Sequence, residues 1–273
     1  MKDSKKYSSK IDKWYKKAKK DQGKVKPIIY DDPVEAIVFG IICNYLPLRK
    51  SKTVLNKIKR HFVDFNDLRV SRSEELVEVL GGDSEEIRLI SHELTESLNA
   101  VFSKYDTMDV SPLKEEGKRQ IKKELEEIEK LSKFVISYCF LTAFDGHAIP
   151  VSKDMADYLH KQEMVHPKAT VEDIEGFLER QINSSEGNEF FVHLKTESDN
   201  EAKKSKKKTK KKKAKKKTTK KASPKKEAKK STKKKTAKKK AAKKTVKKKE
   251  TKKSAKKTKA KKTKKKLFCR IKY

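Results

Sequence analysis

The 273-residue chain is poor in the residues that staple, bend or ligate a fold: 3 Cys, 8 Gly, 7 Pro and a single Trp. Cys43, Cys139 and Cys269 stand far apart, which excludes a disulfide framework and any CxxC metal spacing. Cys43 and Cys139 sit in apolar runs and read as small core residues of a reducing compartment. No stretch of about 18 apolar residues occurs, so no transmembrane helix is expected. The first 26 residues are charged and have no apolar segment of the kind a secretory signal needs. His61, His92, His147, His160, His166 and His193 form no HExxH or other metal spacing, and no Walker A, GxGxxG or GxSxG motif is present. These absences point to a chain without a metal or cofactor.

Charge, by contrast, is abundant and unevenly placed. The whole chain carries +35, but residues 201–273 hold 41 basic and 3 acidic residues, a net of +38. Residues 1–26 hold 11 basic and 3 acidic residues, a net of +8, so the body at 27–200 is acidic, at −11. The pattern divides the chain into a basic N-terminal arm at 1–26, a helical domain at 27–197 and a Lys-rich tail at 198–273. The body is long enough for one domain with a real core. The tail has almost no apolar residues to offset chain entropy and reads as disordered.

The tail repeats Lys pairs and triplets separated by Ala, Thr or Ser. Lys206, Lys207, Lys208, Lys210, Lys211, Lys212 and Lys213 form one block, Lys225 and Lys226 follow Ser223-Pro224, and Lys238, Lys239 and Lys240 belong to another block. It resembles the tails of linker histones and of tailed bacterial chromosome-organising proteins. Duplex DNA carries a charge about every 1.7 Å, and a polylysine that displaces its counterions binds without sequence choice and with steep salt dependence. Lysine makes point-charge contacts and reads bases poorly. DNA is therefore the expected partner and the nucleoid, in the cytoplasm, the expected location. RNA, polyphosphate and anionic lipid are the other anions such a tail suits; a membrane role is disfavoured because the tail has no apolar face. The acidic body is a candidate surface for a protein partner or for the tail itself. Segment 1–26, with Tyr7, Trp14 and Tyr15 among its lysines, reads either as a basic helix that touches nucleic acid or as a solubilising arm. Leu267 to Tyr273 is a short apolar ending with no assigned role.

The body reads as about nine or ten short helices. Asp32-Pro33 is an N-cap followed by proline at the first helical position, opening the apolar run to Leu46. Val54, Leu55, Ile58 and Phe62 form a stripe over 51–62. Ser71 to Glu74 has a capping-box pattern, and Gly81-Gly82 ends that helix. Asp83 to Glu86 opens the next, whose stripe runs from Ile87 to Phe102. Further helices are expected from Ser111-Pro112 to near Ile128, over 131–144, and near 152–163, 170–182 and 187–196. Thr170 to Asp173 is again a capping-box pattern.

Two segments carry a family resemblance. Asp32-Pro33-Val-Glu-Ala-Ile-Val-Phe-Gly-Ile-Ile-Cys-Asn-Tyr45 resembles the "DPF..L…IL.Q" helix of the helix–hairpin–helix DNA glycosylases of the endonuclease III type. Leu125-Glu-Glu-Ile128, Phe134 to Phe144 and His147 to Val151 are similar to that family's "LPGVGxKTA…VL..A.g.pa.pVDTHV" block. The resemblance covers roughly 27–196 and implies an all-α, two-lobed fold with a DNA cleft between the lobes and ancestry among base-excision repair enzymes.

The departures from that pattern bear on chemistry. The hairpin glycines, which let backbone amides approach a phosphate, fall on Glu126, Glu127 and Glu129, beside Glu124. The lysine that attacks the sugar in bifunctional members falls on Leu131, with Lys130 and Lys133 as neighbours that a one-residue gap would bring into place or that are ordinary surface lysines. The aspartate of "VDTHV" falls on Ser152, which keeps the N-cap but not the charge, and Asp154 is either a relocated acid or a first-turn carboxylate that favours the helix dipole. The four-cysteine cluster of some members is absent. His147 reads as a loop histidine bonded to backbone or as a cleft residue. Tyr45, beside Asn44, stacks on an exposed base or lines the rim of the core. These substitutions suggest a degenerate, DNA-binding member; an active glycosylase or abasic-site lyase with relocated residues, and a protein-interaction module tethered to DNA, are the alternatives.

Overall fold

The computed structural model describes residues 4–219, with side chains to Lys204. Among the described residues it is all-α. Eleven α-helices and two short 3₁₀ turns are found, and no strand. The helices are α1 (Ser4–Gln22), α2 (Pro33–Tyr45), α3 (Leu48–His61), α4 (Phe65–Val70), α5 (Ser73–Leu80) and α6 (Glu85–Tyr105). They continue with α7 (Lys118–Glu126), α8 (Lys133–Thr142), α9 (Lys153–Lys161), α10 (Val171–Gln181) and α11 (Gly187–Thr219). None is long and apolar enough to cross a membrane.

Local chemistry sets most boundaries. Asp32 accepts from the Val34 amide and Pro33 sits at the first position of α2. Ser84 caps α6, and Thr170 and Asp173 form a reciprocal capping box on α10. Gly81 closes α5 in the left-handed region at φ 103°, where a side chain is strained.

The apolar α2 and α8 form the centre. Tyr138 of α8 is fully buried and stacks on Phe39 of α2 with ring centroids 5.8 Å apart. The approach depends on Gly40, because a Cβ there would meet the Tyr138 ring at 3.0 Å. Around this pair α3 and α6 pack on α2, α5 packs on α3 and α6, α4 packs on α6, and α7 packs on α8. A second neighbourhood consists of α1, α9 and α11, with α10 against α9; α11 also touches α3 and α8 and so joins the two.

The structure corrects several expectations. Residues 4–22 are not a free arm. They form α1, whose Tyr7, Ile11, Tyr15 and Ala18 repeat at three- and four-residue spacing and are buried. Trp14 and Tyr15 meet Phe190 of α11 edge-on at 5.6 and 5.1 Å, and the Trp14 indole donates to the Tyr158 hydroxyl at 3.0 Å. Nor does the domain end at 197. Helix α11 runs through that boundary, with Ser198 and Asp199 buried in the body, and its backbone stays helical to Thr219. The packed stretch from Phe190 to Asp199 supplies the nucleus, and Lys and Ala, both good helix formers, extend it. The helix expected from Ser111 to Ile128 is broken into a 3₁₀ turn, Ser111–Glu115, and α7, because Glu116 and Gly117 are extended. Ser71 does not open α5. Its hydroxyl donates to the Leu68 carbonyl at 2.7 Å and closes the short α4, leaving Arg72 as an N-cap without a side-chain bond.

The packing of α1 gives a direct test. Ile11 is fully buried. Ile11→Ala is expected to lower unfolding free energy by about 2–5 kcal/mol, measured by denaturant unfolding. A loss near zero would return residues 4–22 to the status of an arm.

Candidate nucleic-acid interface

Three regions carry the residues singled out by the sequence: the α7–α8 hairpin, the segment leading into α9, and a cavity at the end of α2. In the hairpin, Ile128 is buried and anchors the turn, while Lys130 takes the left-handed conformation at φ 67°. The Lys130 carbonyl accepts from the Ser97 hydroxyl at 3.3 Å. Ser132 is the N-cap of α8 but makes no side-chain capping bond, and its hydroxyl oxygen is buried without a partner among the described residues.

The hairpin's charge is acidic. Glu126, Glu127 and Glu129 are exposed. Lys104 of α6 bridges Glu124 at 2.8 Å and Glu127 at 3.1 Å, and Lys123 lies 3.6 Å from Glu127. The Lys104 ammonium holds the Glu124 carboxyl below its usual range. Glu126 and Glu129 have no ion pair among the described residues. Unpaired carboxylates at the turn repel a phosphate approaching the amides of α8. Leu131 is half-buried and Lys130 exposed, while the Lys133 ammonium pairs with Glu172 of α10 at 3.1 Å.

The segment into α9 is a tethered loop. The His147 ring bonds the Glu179 carbonyl oxygen at 2.7 Å, so this histidine is held to the end of α10 by backbone. The Val151 amide donates to a Glu175 carboxylate oxygen at 3.1 Å. Ser152 is buried, and its hydroxyl caps α9 by accepting from the Met155 amide at 3.4 Å. It performs the cap that its position calls for and carries no charge.

A cavity of about 580 Å³ opens at the end of α2. Tyr45, Leu46 and Lys50 line one side, Ser84 and Glu86 a second, and Asp154, Asp199 and Lys203 a third. The structure thus brings Tyr45 and Asp154 to one cavity, whereas Lys130 and Lys133 do not line it. Tyr45 is half-buried; burial and donation to the Glu93 carboxylate raise its phenol well above the ordinary tyrosine value. The inner wall holds a group that the sequence did not reveal. Asp199 accepts from the Leu48 amide at 2.8 Å and lies 3.3 Å from the buried Lys195 ammonium. The carboxylate therefore caps α3 from a distant helix and neutralises a buried cation. Lys195 and Asp199 read in sequence as an ordinary i,i+4 surface pair, and nothing in their spacing signals burial. Cys43 and Cys139 are buried thiols, as expected; burial pushes Cys43 up to about 11, so it is not a nucleophile at neutral pH.

Among the described residues, no group of three or more His, Cys, Asp or Glu is placed to hold a metal ion. Lys206 to Lys213 lie on the helical backbone of α11. Lys225, Lys226, Lys238, Lys239 and Lys240, Cys269 and the apolar ending lie outside the described residues.

Glu175 gives a pH signature for the α9 loop. Burial holds its carboxyl above the usual range, and Glu179 and Glu172 add to this against the pull of the Val151 amide. A carboxyl whose folded value is raised binds its proton more tightly in the native state. Native stability therefore falls as pH rises from the ordinary value, about 4.3, through the raised one. Gln keeps the carbonyl acceptor without the charge. Glu175→Gln is expected to gain stability relative to wild type across this interval, measured by denaturant midpoints between about pH 3.5 and 7. A difference that does not change with pH would contradict the assignment.

By sequence, no protein-family model matches the chain, and no curated protein matches it. Solved structures do match. A non-covalent endonuclease III–DNA complex aligns with a TM-score of 0.53 at 14% identity, covering 69% of this chain and 84% of that one. A trapped endonuclease III–DNA covalent intermediate gives 0.53 at 13% identity, over 68% and 84%. The 8-oxoguanine glycosylase/lyase of Clostridium acetobutylicum, in complex with DNA, gives 0.54 at 14% identity, over 74% and 71%. The likeness at this identity is one of fold: the chain has the all-α fold of the endonuclease III-like DNA glycosylases.

Proposed function

We propose that this chain is a DNA-binding protein whose two-lobed, endonuclease III-like body has lost the covalent lyase chemistry and is held on DNA by its Lys-rich C-terminal segment. The observation that carries the reading is the absence of an available amine where the fold's relatives in the sequence pattern place one. In the pattern LPGVGxK the lysine follows the second glycine by two residues. Taking Leu131 as its equivalent leaves no nucleophile. Setting the first glycine instead on Lys130, the hairpin residue with positive φ, puts the second on Ser132 and the lysine on Phe134, which is buried in the α2–α8 core. Either register removes the amine that would form a Schiff base.

The remaining groups fit binding better than turnover. Lys133 spends its charge on Glu172, Ser152 serves as a neutral cap, and the hairpin carboxylates oppose phosphate docking. The C-terminal lysines supply affinity that needs no hairpin. The reading assigns the protein to DNA repair or chromosome maintenance at the nucleoid, with the acidic body available to a protein partner. One observation favours the second reading, an active glycosylase with relocated residues: Asp154 and Tyr45 face the same cavity, as a displaced acid and a base-stacking ring would.

Duplexes with and without one abasic site, tested with the full chain at two salt concentrations, separate the two. The binding reading predicts salt-sensitive association with both duplexes. It also predicts cleavage no faster for wild type than for a variant carrying Lys130→Ala, Lys133→Ala and Asp154→Ala. A fall in cleavage by orders of magnitude in that variant would establish the enzyme reading instead.

A further inference from the structure

We infer that the solvent face of α1 is a second, structured contact for duplex DNA, separate from the C-terminal segment. At 100° per residue, Lys5, Lys6, Lys13, Lys16, Lys17 and Lys20 fall within an arc of about 120°, opposite the buried stripe of Tyr7, Ile11, Tyr15 and Ala18. All six are exposed. The two acids of the helix leave the arc clear: Asp12 accepts from the Gln181 amide at 3.1 Å, and Asp21 lies beyond the arc's edge.

The distribution of ion pairs separates two kinds of lysine on this helix. Lys10 and Lys19, at the borders of the buried face, are committed to the body: Lys10 pairs with Glu163 at 3.8 Å, and Lys19 with Glu186 at 2.6 Å and Glu189 at 3.2 Å. The six lysines of the arc have no ion pair or hydrogen bond among the described residues. Six unneutralised ammonium groups on one rigid face are electrostatically unfavourable and are relieved by a polyanion. From Lys5 to Lys20 the face is about 22 Å long at 1.5 Å per residue, a length that spans roughly six phosphate steps along one strand.

The packing of α1 selects the polyanion. A basic amphipathic helix binds membranes by burying its apolar face in lipid. Here that face is occupied by the body, with Trp14 and Tyr15 against Phe190. Single-stranded nucleic acid calls for aromatic platforms on which bases stack. Tyr7, Trp14 and Tyr15, which interleave the lysines in sequence, all turn inward. The helix has no Arg, so bidentate base reading is not available. What is left is point-charge contact with a regular, closely spaced phosphate lattice, which is duplex DNA held without sequence choice. This inference rests on the reading that the chain binds DNA, and relocates the body's contact from the acidic hairpin to α1.

Lysine acetylation footprinting of the full chain, with and without a mixed-sequence duplex at low salt, tests it. Lys13, Lys16, Lys17 and Lys20 are expected to become several-fold less reactive with duplex, while Lys52 and Lys168, exposed on other parts of the body, do not. A variant carrying Lys13→Gln, Lys16→Gln, Lys17→Gln and Lys20→Gln is expected to fold as wild type and to show a shallower dependence of log affinity on log salt, by about 0.9 for each lysine that meets a phosphate. If the duplex protects only C-terminal lysines and the variant keeps the wild-type slope, the inference is overturned while DNA binding stands. If the chain binds no duplex at low salt, both readings fall. Protection by single-stranded oligonucleotide or by phosphatidylserine vesicles, but not by duplex, also overturns it.

Discussion

The burial of one short stretch of α11, from Phe190 to Asp199, is the constraint on which the rest of the structure depends. Phe190, Phe191 and Leu194 have no exposed surface. Phe190 receives Trp14 and Tyr15 of α1, and Phe191 meets Phe134 and Tyr138 of α8. Each such side chain contributes about 1.5–3 kcal/mol on burial, so apolar packing supplies the driving force. The Lys195–Asp199 pair adds direction. A buried pair is weak support for stability as a whole, but loss of either partner leaves an uncompensated charge at a cost of about 3–5 kcal/mol. Because Asp199 also caps α3, the pair fixes how α11 sits against the helix that follows Tyr45. The wall of the cavity is therefore set by a residue that precedes the polylysine by only a few positions.

Much of the fold is legible in the sequence wherever a boundary is written locally. Asp32-Pro33, Ser84 and the Thr170–Asp173 box mark helix starts by side chains that reach their own backbone, and the stripe from Ile87 to Val101 marks a buried face by its period. What cannot be read depends on partners distant in the chain. Helix α3 begins three residues before Ser51 because Asp199 satisfies the Leu48 amide from α11. Helix α1 looks like an arm because its lysines dominate its composition, although the apolar residues beneath them keep helical spacing. Ser71 has the chemistry of an N-cap, yet bonds backward to Leu68 instead. The candidate site divides in the same way. Ser152 as a cap and His147 as a backbone-bonded loop residue follow from local pattern, whereas the meeting of Asp154, Tyr45 and Asp199 at one cavity requires the tertiary structure.

Charge and fold together give the molecule its character. The fold is that of enzymes that work on DNA, but its hairpin presents carboxylates, and the lysine nearest the turn's exit is bound to Glu172. Positive charge is found instead on the outer face of α1 and, by sequence, beyond residue 201. Positive charge is thereby separated from the site at which the relatives' pattern would place chemistry. On the proposed function, this arrangement would hold DNA through counterion release and present a body that does not cut it.

The central claim is that the α7–α8 hairpin and the start of α8 present no amine able to attack an abasic sugar. Borohydride reduction of the full chain on an abasic duplex, followed by peptide mapping of any adduct, tests it most directly, because only a Schiff base is trapped and the trapped lysine is identified. The account predicts that whatever adduct forms maps to the exposed lysines of α1 or to the C-terminal lysines beyond residue 201. An adduct at Lys130 or Lys133 would contradict it.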